Sequence, residues 1–123
     1  METVDVITRY YQLANSGDWK SWCDLFTDNM VIDEQLAGHI EGQGTLRTMM
    51  AGFGDMYSSF QNVPRHYIVN DDQAACVSRI IAVTPEGNRI EADVMNYFRM
   101  DGDRIAYMAN FHDTAPFVVL NAT

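Results

Sequence analysis

The sequence predicts an α+β fold: three amphipathic helices, in the first half of the chain, packed on a curved antiparallel sheet that encloses a mostly apolar pocket. Two patterns predict it. Apolar residues recur at helical spacing through the first half, and β-branched and aromatic runs fill the second. Helices first and a strand meander afterwards indicate α+β rather than a parallel βαβ arrangement. The chain has 123 residues and is 47% hydrophobic, which suits one globular domain over 1–123 with an ordinary core.

The helices come in order. Ile7, Tyr10, Tyr11 and Ala14 fall at i, i+3, i+4 and i+7, and Trp19, Trp22, Cys23 and Phe26 repeat that spacing. So do Leu46, Met49, Met50 and Phe53. Asn15-Ser16-Gly17 ends the first helix and Asp18 can cap the second. Thr27-Asp28-Asn29 is expected to end the second, and Gly42-Gln43-Gly44-Thr45 leads into the third. A short strand near Met30 to Glu34 lies between them.

The strands follow. Val63 to Val69, Ala74 to Val83, Arg89 to Met100 and Arg104 to His112 carry the β-forming residues. Pro85-Glu86-Gly87-Asn88 and Asp101-Gly102-Asp103 join neighbours as hairpins. The expected order is α-α-β-α-β-β-β-β.

Charge and cysteine usage narrow the function. Lys and Arg number 8 against 17 Asp and Glu, a formal charge of −9. Such a chain repels phosphate backbones and anionic lipid, so neither nucleic acid nor membrane is an expected partner. The apolar runs are too short to span a bilayer. The opening Met-Glu-Thr-Val-Asp-Val lacks the basic and apolar regions of a signal peptide. Cys23 and Cys76 form no C-x-x-C pair, and two buried thiols in a reduced cytoplasmic protein are the simplest reading.

Polar residues on apolar faces are the candidates for chemistry. One face of the third long strand reads Ile90, Ala92, Val94, Asn96, Phe98, Met100, and Asn96 is its one strongly polar member. It is either a structural amide or a donor aimed into a cavity. Asp33 and Glu34 close the short strand, as a solvated strand end or as a base at a cavity mouth. His39, His66 and His112 have no metal-ligand spacing, so no metal is expected, and His66 reads as a solvated strand residue. His112 and Asp113 are adjacent, so on a strand they point to opposite faces. Gly42-Gln43-Gly44 reads as a plain turn. No nucleophile elbow, Walker loop or dinucleotide fingerprint is present.

The stretch from Arg9-Tyr10-Tyr11 to Gly17-Asp18, followed by Leu25-Phe26-Thr27-Asp28-Asn29, resembles the opening of the nuclear transport factor 2-like superfamily. The nearest patterns are the ketosteroid isomerases and the SnoaL-like polyketide cyclases. The resemblance covers nearly the whole chain and implies the superfamily's cystatin-like α+β cone. The isomerases' oxyanion tyrosine follows an arginine on the first helix, which matches Tyr10. Their base closes the strand after the second helix, matching Glu34, or Asp33 if the alignment slips by one. Their second oxyanion donor stands two residues before a Phe-Arg pair, which matches Asn96. In those isomerases that donor is an aspartate kept neutral by its apolar surroundings, where this chain has an amide. The cyclase resemblance points instead to Asp113, after the aromatic-rich ending Phe111-His112. The isomerase-like register turns Met108, Asn110 and His112 inward.

The resemblance implies a cofactor-free acid–base enzyme, of isomerase or cyclase type, acting on a small hydrophobic carbonyl compound through an enolate. Glu34 or Asp113 would remove the proton. Tyr10 and Asn96 would hold the enolate oxygen, and His112 would relay the proton or orient the substrate. Trp19, Trp22, Phe53, Tyr57, Phe98 and the methionines would shape the pocket. A homodimer through the outer sheet face, with Met95 and Tyr97 on it, is implied too. The competing reading is a non-catalytic small-molecule-binding or dimerising domain of the same fold. An epoxide-hydrolase-like enzyme is a further alternative.

Overall fold

The structure, a computed structural model, describes residues 2–121. Helix α1 (Thr3–Ser16) buries the stripe Val6, Ile7, Tyr10, Tyr11, Leu13 and Ala14. Glu2 and Asp5 form a reciprocal capping box at its start. It stops at Gly17, whose φ of 74° is a left-handed value that lets the chain turn out of the helix. Asp18 then caps α2 (Trp19–Cys23), accepting the Ser21 N–H at 3.1 Å.

From here the chain departs from the expectation. Phe26 continues the helical stripe in sequence, yet it opens strand β1 (Phe26–Glu34), and Thr27-Asp28-Asn29 lies inside that strand. The reason is tertiary. Strand β6 (Arg104–His112) presents an unpaired edge, and β1 docks on it in parallel, with Ile105 donating to the Leu25 carbonyl at 2.8 Å. The polar stretch becomes a register irregularity between Phe26 and Val31 instead of a helix end. A second strand, β2 (Gly38–Glu41), was not foreseen and folds back on β1 in an antiparallel hairpin. Helix α3 (Gln43–Met50) is short, and Phe53 falls on a separate 3-10 turn, Phe53–Asp55.

The four long strands match the expectation closely: β3 (Ser59–Asn70), β4 (Gln73–Val83), β5 (Arg89–Asp101) and β6. A 3-10 segment, Ala115–Asn121, ends the described chain. The six-stranded sheet runs β2-β1-β6-β5-β4-β3, curved and unclosed. Four of its neighbours pair antiparallel and one, β1 with β6, parallel, so the sheet is not purely antiparallel as expected. The α+β class stands, with the helices on the concave face. α1 rests on β3 and β4, and α3 on β1 and β2. Period-two alternation on β5 sends Ile90, Ala92, Val94, Asn96, Phe98 and Met100 inward. Among the described residues no helix is long and apolar enough to cross a membrane.

Candidate functional site

Between the helices and the concave sheet lies a cavity of about 490 Å³. Its floor is closed by buried side chains, among them Tyr10, Trp22, Ile40, Leu46, Asn96 and Met108. Its rim carries exposed apolar residues, Leu36, Met49 and Met56. Trp19, Phe53, Tyr57 and Phe60 form one wall of edge-on and tilted rings, with Trp19 and Phe53 centroids 4.7 Å apart. Burial, helped by the Glu34 charge, pushes the Tyr57 phenol up to about 12.

Glu34 is the carboxylate on this cavity. Alternation on β1 sends Met30, Ile32 and Glu34 inward and Asp33 outward. Asp33 instead accepts the Tyr107 hydroxyl at 2.6 Å and pairs with His39 at 2.6 Å on the outer face. The Glu34 Oε2 accepts the backbone N–H of Leu36 at 2.8 Å and that of Ala37. Its Oε1 accepts from Asn110 Nδ2 at 3.3 Å. The Asn110 orientation is settled by its other end, whose Oδ1 accepts the Gln35 N–H at 3.0 Å. The β1–β2 hairpin turn therefore holds the carboxylate in place through backbone N–H donors.

His112 stands beside it. The ring packs on Phe117 with centroids 4.9 Å apart, and Nδ1 donates to the Asp113 carbonyl at 2.8 Å. A carbonyl can only accept, so the neutral ring carries its lone pair on Nε2. That atom lies 3.9 Å from Glu34 Oε1, and the His112 side chain is 2% exposed against 22% for Glu34.

The other expected residues divide. Trp19, Trp22, Phe53, Tyr57, Met108 and Asn110 line the cavity, as do Tyr10 and Asn96. Met108, Asn110 and His112 take the inward register on β6, and Asp113 follows the end of that strand. Asp113 is exposed and does not line the cavity, because its Oδ1 accepts the Ala115 N–H at 2.9 Å and caps the terminal 3-10 segment. Phe98 is also absent from the lining. It is fully buried against Tyr10, centroids 5.0 Å apart, and belongs to the core.

Tyr10 and Asn96, expected to hold an enolate oxygen together, differ in what their polar atoms meet. Asn96, 1% exposed, spends its amide N–H groups on the Tyr11 hydroxyl at 2.7 Å and on Ser78 Oγ at 3.4 Å. The Tyr10 hydroxyl has no hydrogen-bond partner among the described residues. Burial first, and the nearby Glu34 charge second, push its ionisation above the ordinary tyrosine range. It is thus a neutral hydroxyl with a proton to donate.

The residues missed in sequence are Tyr11 and Ser78, which hold Asn96, and the Leu36–Ala37 turn, which holds Glu34. The Gly38 that follows, at φ 81°, was the available signal for that turn. Asn62 also lines the cavity, and its Oδ1, like Trp22 Nε1, is buried without a partner among the described residues. Each such atom withholds about 1–3 kcal/mol from the fold.

Residues 7–108 match the SnoaL-like domain family. The chain belongs to that family. Solved structures agree on the fold of this SnoaL-like domain. An NTF2-like protein of unknown function from Burkholderia pseudomallei superposes with a TM-score of 0.89 at 11% identity, covering 100% of this chain and 99% of its own. A candidate polyketide cyclase from Pseudomonas putida gives 0.87 at 16% identity, covering 98% of each chain. A protein of ketosteroid isomerase-like fold from Catenulispora acidiphila, in complex with trimethylamine, gives 0.83 at 9% identity, covering 94% of this chain and 90% of its own. At such identities the likeness is one of fold. Among curated proteins no sequence matches this SnoaL-like domain.

Proposed function

We propose that this SnoaL-like domain is a cofactor-free acid–base enzyme that forms an enolate from a small hydrophobic carbonyl compound. The observation that carries this reading is the Glu34 carboxylate. It sits on the wall of a cavity lined largely by apolar side chains, its Oε2 tied to two backbone N–H groups, its Oε1 turned toward His112. A carboxylate so held is a positioned base, an effect worth about 10² to 10⁴ in rate. Tyr10, neutral and unpartnered on the same cavity, is the donor for the developing enolate oxygen. The aromatic wall excludes water from the reacting carbon.

The experiment is exchange of α-hydrogens for deuterium in α-tetralone, followed by NMR. This flat ketone needs no knowledge of the natural substrate. Exchange above the buffer rate that disappears in Glu34→Gln supports the reading. Equal rates with and without the protein discard it.

One observation favours a second reading, a non-catalytic small-molecule-binding domain. Asn96 is bonded to Tyr11 and Ser78, as a purely structural amide would be. On that reading ligand binds but no exchange follows. For either reading we infer a homodimer through the outer sheet face, where Met95 and Phe111 are cross-strand partners and both exposed.

A further inference from the structure

Among the described residues the buried polar ones are Asn62, Ser78, Thr84 and Asn96. All but one have partners. Asn96 donates to Tyr11 and to Ser78 Oγ, and Thr84 Oγ1 accepts the Asn88 N–H at 3.0 Å. The Asn62 amide makes no hydrogen bond among the described residues, and its Oδ1 is shut off from solvent. Its main chain, by contrast, is clamped. Asn15 on α1 accepts the Asn62 N–H at 2.6 Å through Oδ1 and donates from Nδ2 to the Asn62 carbonyl at 2.9 Å. The amide is thus held in place while forming no bond of its own.

Asn62 is 7% exposed and lines the cavity with Phe60, two residues before it, and Ile80, opposite it on β4. A buried amide left unpaired destabilises the fold, and a protein keeps one where a ligand completes it. The other unpaired atom, Trp22 Nε1, differs in kind. It is a donor, and the rings of Phe26, Trp19 and Tyr10 lie 4.9, 5.3 and 5.4 Å from the Trp22 ring as weak acceptors. The Asn62 Oδ1 is an acceptor, which the negative face of a ring does not serve.

We propose that Asn62 is a specificity determinant: it receives a hydroxyl group at the end of the ligand opposite the carbonyl that faces Glu34. The placement of the carbonyl rests on the enolate reading, and that of the hydroxyl on Asn62 alone. A hydroxyl both donates and accepts, so it serves Oδ1 and Nδ2 together, whichever way round the amide stands. A ketone or ether oxygen only accepts and leaves one end of the amide unpaired. No Lys or Arg lines the cavity, so the far end suits a neutral group and not a carboxylate or phosphate. Sheet order puts β6, β5 and β4 between Glu34 on β1 and Asn62 on β3. Four interstrand steps of about 4.8 Å, shortened by the curvature and by the inward reach of both side chains, call for a ligand of about three fused rings.

The test compares the linear three-ring homologue of α-tetralone with its derivative carrying a hydroxyl on the ring farthest from the ketone. Binding is read from quenching of Trp19 and Trp22, both on the cavity, and enolate formation from deuterium exchange in the same compounds. Wild type should bind the hydroxy ketone about 10-fold or more tightly than the parent. In Asn62→Ala that preference should fall below about 2-fold. Ligand-free Asn62→Ala should unfold at the same urea concentration as wild type or higher, because no side-chain bond of the fold is lost. Equal binding of the two ketones by the wild type, or no binding of either, overturns the proposal without any variant. So does a preference that survives Asn62→Ala. A clear drop in the urea midpoint of Asn62→Ala makes the amide structural and overturns it as well. The enolate reading fails separately. Hydroxyl preference without exchange keeps Asn62 and discards the base, whereas exchange without hydroxyl preference keeps the base and discards Asn62.

Discussion

Asn96 and Tyr11 are joined by a 2.7 Å hydrogen bond between β5 and α1, buried and 85 residues apart in sequence. It separates two adjacent tyrosines by role. Tyr11 is spent on the core, and Tyr10 is left facing the cavity. Tyr11→Phe removes the acceptor of a buried amide and should cost about 1–3 kcal/mol in urea unfolding. Tyr10→Phe removes an unpartnered hydroxyl and should change stability by less than about 1 kcal/mol. Its effect should fall on exchange of α-tetralone, slowed by roughly 10² to 10³. Reversed sensitivities would mean that the roles of the two rings are exchanged.

Glu34→Gln keeps the shape and the acceptor oxygen but removes the charge. Deuterium exchange should drop by about 10² to 10⁴. Asp113→Asn, at the exposed cap of the terminal segment, should leave exchange within about 3-fold of wild type. A large loss in Asp113→Asn with a small one in Glu34→Gln would transfer the base to Asp113.

His39 bridges two carboxylates, Asp33 from Nδ1 at 2.6 Å and Glu41 from Nε2 at 3.0 Å, so its ring is doubly a donor and charged. Glu41 first and Asp33 second raise it above the ordinary value of 6.5. Tyr107 first and His39 second lower Asp33 below 3.8. A raised histidine stabilises the fold fully below its unfolded value, and the effect is lost as pH rises through the folded value. The lowered Asp33 adds stability above 3.8 that is lost as pH falls through its folded value. His39→Gln should therefore destabilise at pH near 6 and have no effect at pH near 9. A His39 proton resonance titrating at or below 6.5 would contradict the bridge.

Phe98 has no exposure and packs edge-on to Tyr10 and Tyr11, with centroids 5.0 and 6.4 Å away. Phe98→Ala should cost about 3–5 kcal/mol, the range for a fully buried ring. Phe53→Ala, on the half-buried cavity wall, should cost markedly less and loosen ligand binding instead. Calorimetry of the two variants compares them directly.

Phe111 is 56% exposed beside Met95 on the outer sheet face. Wild type should sediment as a dimer, and Phe111→Glu should give monomer at the same concentration. A wild-type monomer would remove the proposed interface.

Much of this was legible along the chain. Alternation in Arg89 to Met100 put Asn96 on the inner face before any contact was known, and the four long strands stand within a few residues of expectation. Helical spacing found the stripe of α1. The same spacing misled at Phe26, because a period of three or four residues cannot report that β6 offers a vacant edge. It also overran α3 to Phe53.

Residue order alone determined what faces inward on each long strand, since side-chain direction follows from a two-residue repeat that needs no partner. It left Asp33 as an alternative to Glu34, set Asp113 against the inward register of His112, and gave Tyr11 no role beyond the apolar stripe. Tertiary structure decided among them. The β1–β6 pairing set the phase of β1 and brought Glu34 to His112, Tyr11 reached Asn96 across the core, and the terminal turn took Asp113. Contacts between elements distant in sequence depend on how the sheet is assembled, and no local pattern of residues encodes that assembly.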